Sequence, residues 1–206
     1  MRMTKLDFRK EQKELYQPGR DFEIVEVPEL TYLAIDGTGD PNTSVDYTRA
    51  VEALYAASYA IKFHSKRGLD RDYVVAPLEG LWWADDNRSF AGLEKSEWSW
   101  TMLIRQPDWI SAEELQGLVE ATSLAKKSDA VAELRVETIA EGLCVQILHV
   151  GPYDDEAPTI ARLHDEFIPA NDLVETGKHH EIYLSDPRRS APEKLRTILR
   201  QPVARR

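Results

Sequence analysis

The sequence predicts an α+β fold: a tandem βαββ repeat with pseudo-two-fold symmetry, its antiparallel sheets carrying helices on one face and a ligand groove on the other. Three observations lead there. Runs that alternate apolar and polar residues are interspersed with segments of helical spacing. The order strand, helix, strand, strand occurs twice. The two halves also end on nearly the same letters, LIRQP at 103–107 and ILRQP at 198–202. Repeats that share order and a terminal motif argue for duplication, and two half-domains side by side leave a concave place for a ligand.

The elements follow in order. Positions 1–21 are a charged lead-in segment of one or two helical turns, ended by the turn signal Gln17, Pro18, Gly19, Arg20. FEIVEV alternates from Phe22, and TYLAIDG does so again after Pro28, until Gly37, Gly39 and Pro41 end the strand. Asn42, Thr43 and Ser44 offer caps to a helix from about Asp46 to about His64, with Gly68 as its terminator. Val51, Leu54, Tyr55, Ser58 and Ile61 form its sheet-facing side. Two strands complete repeat one, about 22–108: YVVAPLEGLWW and, after the polar turn DDNRSF, WSWTMLIRQP.

Ser111 and Glu114 form a capping box, so a linking helix occupies about 111–127, closed by Lys126 and Lys127. Repeat two, about 131–203, opens with a strand from about Ala132 to Ile139 that turns at Glu141 and Gly142 into CVQILHVG, a hairpin. A short helix starts at Pro158, with Ile160, Leu163, His164 and Phe167 inside. HHEIYLSDP and KLRTILRQPV are the last strands. Upstream of each terminal motif lies a strand bearing one glutamate, Glu79 and Glu181.

Composition bounds the function. The 206 residues are 42% hydrophobic and 30% charged, enough for a sizeable core. With 26 Lys and Arg against 36 Asp and Glu, the net charge is -10, which excludes a general nucleic-acid role. A single cysteine, Cys144, excludes a disulfide framework or Cys-based zinc site and fits a reducing, cytoplasmic location. No run approaches the roughly 20 apolar residues of a membrane helix, and MRMTKLDFRKEQKELY lacks the apolar block of a secretory signal. No pattern of metal ligands or phosphate-cradling loop occurs, so neither metal nor cofactor is expected.

A set of motifs carries a resemblance. VPELTYLAIDGTGDPN, LYAASYAIKF, PLEGLWW, WSWTMLIRQPDW, HVGPYDDE, and HHEIYLSDP with ILRQPV occur in order at compatible spacings from about residue 8 to the C-terminus. Together they resemble the stand-alone GyrI-like small-molecule-binding proteins. The resemblance implies a groove at the pseudo-two-fold in which an acid among aromatic residues meets lipophilic, cationic or electrophilic compounds. Related domains are effector-binding modules of multidrug-responsive regulators; a regulator reading of this sequence needs a separate DNA-binding partner. Some stand-alone members resemble hydrolases of cyclopropanoid DNA-alkylating antibiotics, and other relatives bind and inhibit DNA gyrase. A detoxifying hydrolase, a non-catalytic drug sink or sensor, and a gyrase-binding protein are therefore the three readings.

The resemblance places Glu181 at the pocket acid, and alternation in HHEIYLSDP aligns His179, Glu181, Tyr183 and Ser185 on one strand face. Desolvated among aromatics, Glu181 would be a stronger base, able to activate water or neutralise a cation. Tyr183, Glu79, Trp82, Trp83, Trp100, Tyr153 and Tyr59 are the candidate ligand-binding residues around it. Parity pairs Trp83 with Glu79, while a bulge at Gly80 would favour Trp82; both remain. Asp154, Asp155 and Glu156 read as charges serving the following helix N-terminus.

Overall fold

A computed structural model describes residues 5–83 and 95–206. The expected turn DDNRSF lies outside the described residues. The fold is α+β, a tandem βαββ arrangement on a nine-stranded antiparallel sheet. Its main path runs β1 (Glu23–Val27), β6 (Gly142–Val150), β9 (Arg196–Arg205), β8 (His179–Tyr183), β3 (Leu78–Trp83), β4 (Ser99–Arg105), β2 (Leu30–Thr38), β5 (Arg135–Ile139), and β7 (Leu173–Glu175) pairs with β9. The path is symmetric about the central pair β8 and β3.

That order corrects the expected hairpin at Glu141 and Gly142. β5 and β6 do not pair with each other; β5 pairs with β2 and β6 with β1. Each half thus lends its neighbour an outer strand. The exchange also bends the sheet. β1 and β2 stand six steps apart on the path, about 29 Å if flat, yet Pro28 and Glu29 alone join them, a reach of about 11 Å. Ala140 and Glu141 join β5 to β6 under the same constraint. The sheet must therefore curl until its two ends approach.

One face of the curl carries α3 (Val45–Gly68). Ser44 caps it by accepting from the Tyr47 amide, and Ala50, Ala53, Leu54, Ala57 and Ile61 are buried beneath it. Gly68 is its last residue and not a terminator beyond it. On the same face, a turn at Tyr153–Asp155 leads into α6 (Ala157–Arg162), which continues through a wider turn at 163–167 into α7 (Ile168–Ala170). The linking helix, α4 (Ala112–Lys126), matches its expected bounds: the Ser111 hydroxyl accepts from the Glu114 amide, and Lys127 ends the helix in the left-handed region. A one-turn helix, α5 (Asp129–Ala132), delays the next strand to Arg135.

The opposite face is filled by the lead-in segment, folded as α1 (Phe8–Glu11) and α2 (Lys13–Tyr16), which buries Phe8, Leu15 and Tyr16. The repeated motif explains the docking. Its two arginines, Arg105 and Arg200, are both buried on this face and reach the lead-in segment, Arg105 at the Gln12 side chain and Arg200 at the Leu15 carbonyl (2.7 Å).

Candidate functional site

The register of the central pair decides which side chains share a face. Gly80 stands opposite Glu181, Trp82 opposite His179 and Leu78 opposite Tyr183, with no bulge at Gly80. Directly paired residues project to the same side, so Leu78, Trp82, Glu181 and Tyr183 face the side that carries α3 and α6. Between those helices lies a cavity of about 1140 Å³. This corrects the expected placement of the groove on the face opposite the helices: it opens at the pseudo-two-fold on the helix-bearing face, because the other face is occupied by the lead-in segment.

Tyr47, Val51, Tyr55 and Tyr59 of α3 form one wall; Tyr153, Glu156, Ala157 and Ile160 form the other; Leu78, Trp82, Glu181 and Tyr183 form the floor, with Trp98 beside them. The aromatic rings brace one another. Tyr47 stacks on Trp82 at 6.4 Å, Trp98 meets Trp82 edge-on at 5.4 Å, and Tyr153 meets Tyr183 edge-on at 5.6 Å.

Glu181 is 8% exposed. A directed chain holds it: Trp82 Nε1 donates to the Tyr183 hydroxyl at 3.0 Å, and that hydroxyl donates to Glu181 Oε2 at 2.7 Å. Glu181 Oε1 lies 3.7 Å from His179 Nε2. Burial pushes the His179 imidazole down to about 3, so it is neutral. Burial also drives the Glu181 carboxyl up to about 7, against the opposing Tyr183 hydrogen bond and the charges of His180 and Lys95. A carboxyl poised there is half ionised near neutrality and suited to general base work.

A second carboxyl enters the groove. Glu156 is 4% exposed, and burial followed by repulsion from Glu181 raises it to about 9. It occupies the cap position of α6, yet its side chain makes no capping hydrogen bond. This corrects the reading of Glu156 as a helix-terminus charge; Asp154 and Asp155 alone are exposed. The missed signal was periodicity. Extending the Ile160 face back by one turn reaches Glu156, and another step reaches Tyr153.

Of the expected ligand-binding residues, Tyr183, Trp82, Tyr153 and Tyr59 line the groove, Tyr59 at its rim and 47% exposed. Three others do not. Glu79 projects to the opposite face, where Tyr16 donates to it at 3.3 Å and His180 Nε2 approaches at 3.0 Å. Trp83 follows Glu79 by strand parity, and the Lys178 ammonium sits 3.2 Å from its ring centre. Trp100 shares the groove's face but lies below it as core, 1% exposed, edge-on to Tyr47 and pressed against Gly37.

Behind the sheet, His180 is held between Glu79 and Glu141, the latter at 2.9 Å from Nδ1. Those carboxylates outweigh burial and raise His180 to about 9, so it is an imidazolium. Glu141 also meets Arg200 at 3.4 Å and is lowered to about 2, His180 and Arg200 overcoming its desolvation. These charges brace the interior on the far side of the sheet, and of them the His180 imidazolium still lowers Glu181 across it. Among the described residues, no group of three or more His, Cys, Asp and Glu side chains is arranged to hold a metal ion, and no helix is long and apolar enough to cross a membrane.

An acid set in an aromatic groove between two halves of such a sheet accords with a family comparison. The model of the GyrI-like small molecule binding domain matches residues 20–204. The chain belongs to that family. Among solved structures, this GyrI-like domain is similar to an uncharacterized conserved protein from Listeria innocua, with 42% identity, TM-score 0.87, and coverage of 97% of this chain and all of that one. A second Listeria innocua protein, described as a hydrolase, matches with 42% identity, TM-score 0.83 and the same coverage. The C-terminal domain of EcmrR shares the fold at 12% identity and TM-score 0.57, covering 90% of this chain and 98% of that one. No curated protein matches the chain.

Proposed function

We propose that this GyrI-like domain binds a flat, lipophilic, electrophilic molecule in its groove and hydrolyses it by water that Glu181 activates. Cyclopropanoid DNA-alkylating antibiotics are the substrate class to which the family resemblance leads. The observation that carries the reading is the buried Glu181 carboxyl, raised to about 7 and oriented by Tyr183, on the floor of an aromatic cavity large enough for a drug-sized ligand. The similarity to a Listeria protein described as a hydrolase supports it.

The chemistry fits the strained ring. Glu181 takes a proton from water as the water oxygen bonds to a ring methylene carbon. The carbon–carbon bond of the cyclopropane breaks, and its electron pair passes into the conjugated carbonyl, leaving an alcohol and, after protonation, a phenol. Tyr47, Trp82, Trp98 and Tyr153 hold the planar system and exclude bulk solvent.

The test is incubation of the protein with a cyclopropanoid alkylator while ring-opened product is followed by mass spectrometry, beside Glu181→Gln. Many turnovers by the wild type and none by the variant are expected. Intact compound in both after many equivalents overturns hydrolysis. A second reading, a sink or sensor, is favoured by the same aromatic faces around an ionisable acid, which also suit a lipophilic cation; stoichiometric protection without turnover is its signature.

A further inference from the structure

We infer that Glu156 faces the bound ligand as a neutral carboxylic acid and donates a proton to it, opposite the base Glu181. Geometry comes first. Glu156 is buried, lines the cavity, and stands at the start of α6 without capping it. Its Oε1 is buried and makes no hydrogen bond. Among the described residues no ion pair joins a cation to it; Lys95, whose charge acts on it, is bonded to Asp154 at 2.6 Å. An ionised carboxylate left unpaired in such a place is far more costly than the neutral acid.

The surroundings agree from every side. Glu181 on β8 and Asp154 on the preceding turn repel a charge on Glu156, and Lys95 opposes them from a distance. Tyr153 and Tyr183 offer only hydroxyls whose own ionisation is suppressed by burial. Thr197 on β9 works against the rise, but its hydroxyl falls short of hydrogen-bond geometry. Two carboxyls that face one cavity and repel each other titrate as a pair, and the proton on Glu156 is the last to leave.

The role completes the ring opening, and in this the inference rests on the hydrolytic reading. As the cyclopropane bond breaks, Glu156 gives its proton to the carbonyl oxygen that receives the electron pair, while Glu181 takes one from the attacking water. The products are an alcohol and a phenol, with Glu156 ionised and Glu181 protonated. Transfer of that one proton back to Glu156 restores the starting state, so no other reactant is needed.

The proton itself is tested without ligand. In Glu181→Gln protein, infrared difference spectra at pH 7 will show one protonated-carboxyl band, lost when Glu156→Gln is added. Absence of that band in Glu181→Gln, or its survival in the double variant, overturns the assignment. In single-turnover ring opening, Glu156→Gln will slow the step about a hundredfold or more, with affinity for the ring-opened product within about threefold of wild type. A wild-type rate in Glu156→Gln overturns the donor role. If the wild type opens no ring at all, the hydrolytic reading and the donor role fall together, and the infrared band still decides the protonation state.

Discussion

Glu79 and Glu181 stand on adjacent, paired strands and project to opposite faces of the sheet, because Glu181 is paired with Gly80 and Glu79 with Ile182. The repeated motif shows that they are not equivalent positions. Aligning Arg105 with Arg200 aligns Leu103 with Ile198; Leu103 pairs with Glu79 and Ile198 with Ile182. Glu79 therefore takes the place of Ile182, and Glu181 takes that of Leu78. One acid belongs to the groove and the other to the interior.

Their substitutions should separate accordingly. Glu79→Gln strands the His180 imidazolium on one side and will destabilise the fold by about 3 kcal/mol, measured by urea unfolding, with ligand affinity unchanged within about threefold. Glu181→Gln will abolish ring opening and keep or raise stability. Loss of binding in Glu79→Gln at temperatures where it remains folded contradicts this division.

Tyr183 lowers the Glu181 carboxyl by donating to it. Tyr183→Phe removes that bond and leaves Trp82 Nε1 without its acceptor. The pH midpoint of the acidic limb of kcat/KM, where Glu181 must lose its proton to act, will rise, and the rate at pH 7 will fall about tenfold. A pH–rate profile checks both; an unmoved midpoint refutes the coupling.

Stability should fall with alkaline pH. Glu156 and Glu181 have folded pKa values raised above the unfolded carboxylate, so the folded state holds more protons and loses stability as pH rises from about 4.5 toward about 9. His180, also raised, contributes fully below about 6.5 and loses its contribution as pH passes about 9. Melting temperature will therefore drop between pH 6 and 9. Glu156→Gln will reduce that drop by about 5 °C, and an equal drop in both proteins counts against a buried, raised Glu156.

Gly37 supports the floor from below. A Cβ there would lie 2.0 Å from the Trp100 ring, which is locked under Tyr47. Gly37→Ala will cost about 2 kcal/mol or more by overpacking and will loosen Tyr47, weakening ligand affinity. Calorimetric melting and fluorescence titration report the two effects; an unchanged melting temperature would show that Trp100 is free to shift.

Local signals in the chain were enough for much of this. Ser111 with Glu114 and the closing lysines delimit α4, since caps and helix-end charges act within a few residues. Alternation alone put Glu181 and Tyr183 on one face, because strand parity is a property of neighbours. The LIRQP and ILRQP motifs announced the repeat, and their arginines proved to be the anchors of the lead-in segment.

Pairing and packing decided the rest. The link at 140–141 looks like a hairpin turn in sequence, yet it and the link at 28–29 carry the chain between the two ends of the curled sheet, and only the strand pairing reveals it. Parity grouped Trp83 with Glu79 but could not say which group faced the ligand; the lead-in segment filling the other face settled that in favour of Trp82. Glu156 read as a surface charge because its neighbours Asp154 and Asp155 are such charges. It lines one cavity with Glu181 although the two are distant in sequence, and no local pattern reports the field that one buried carboxyl exerts on another.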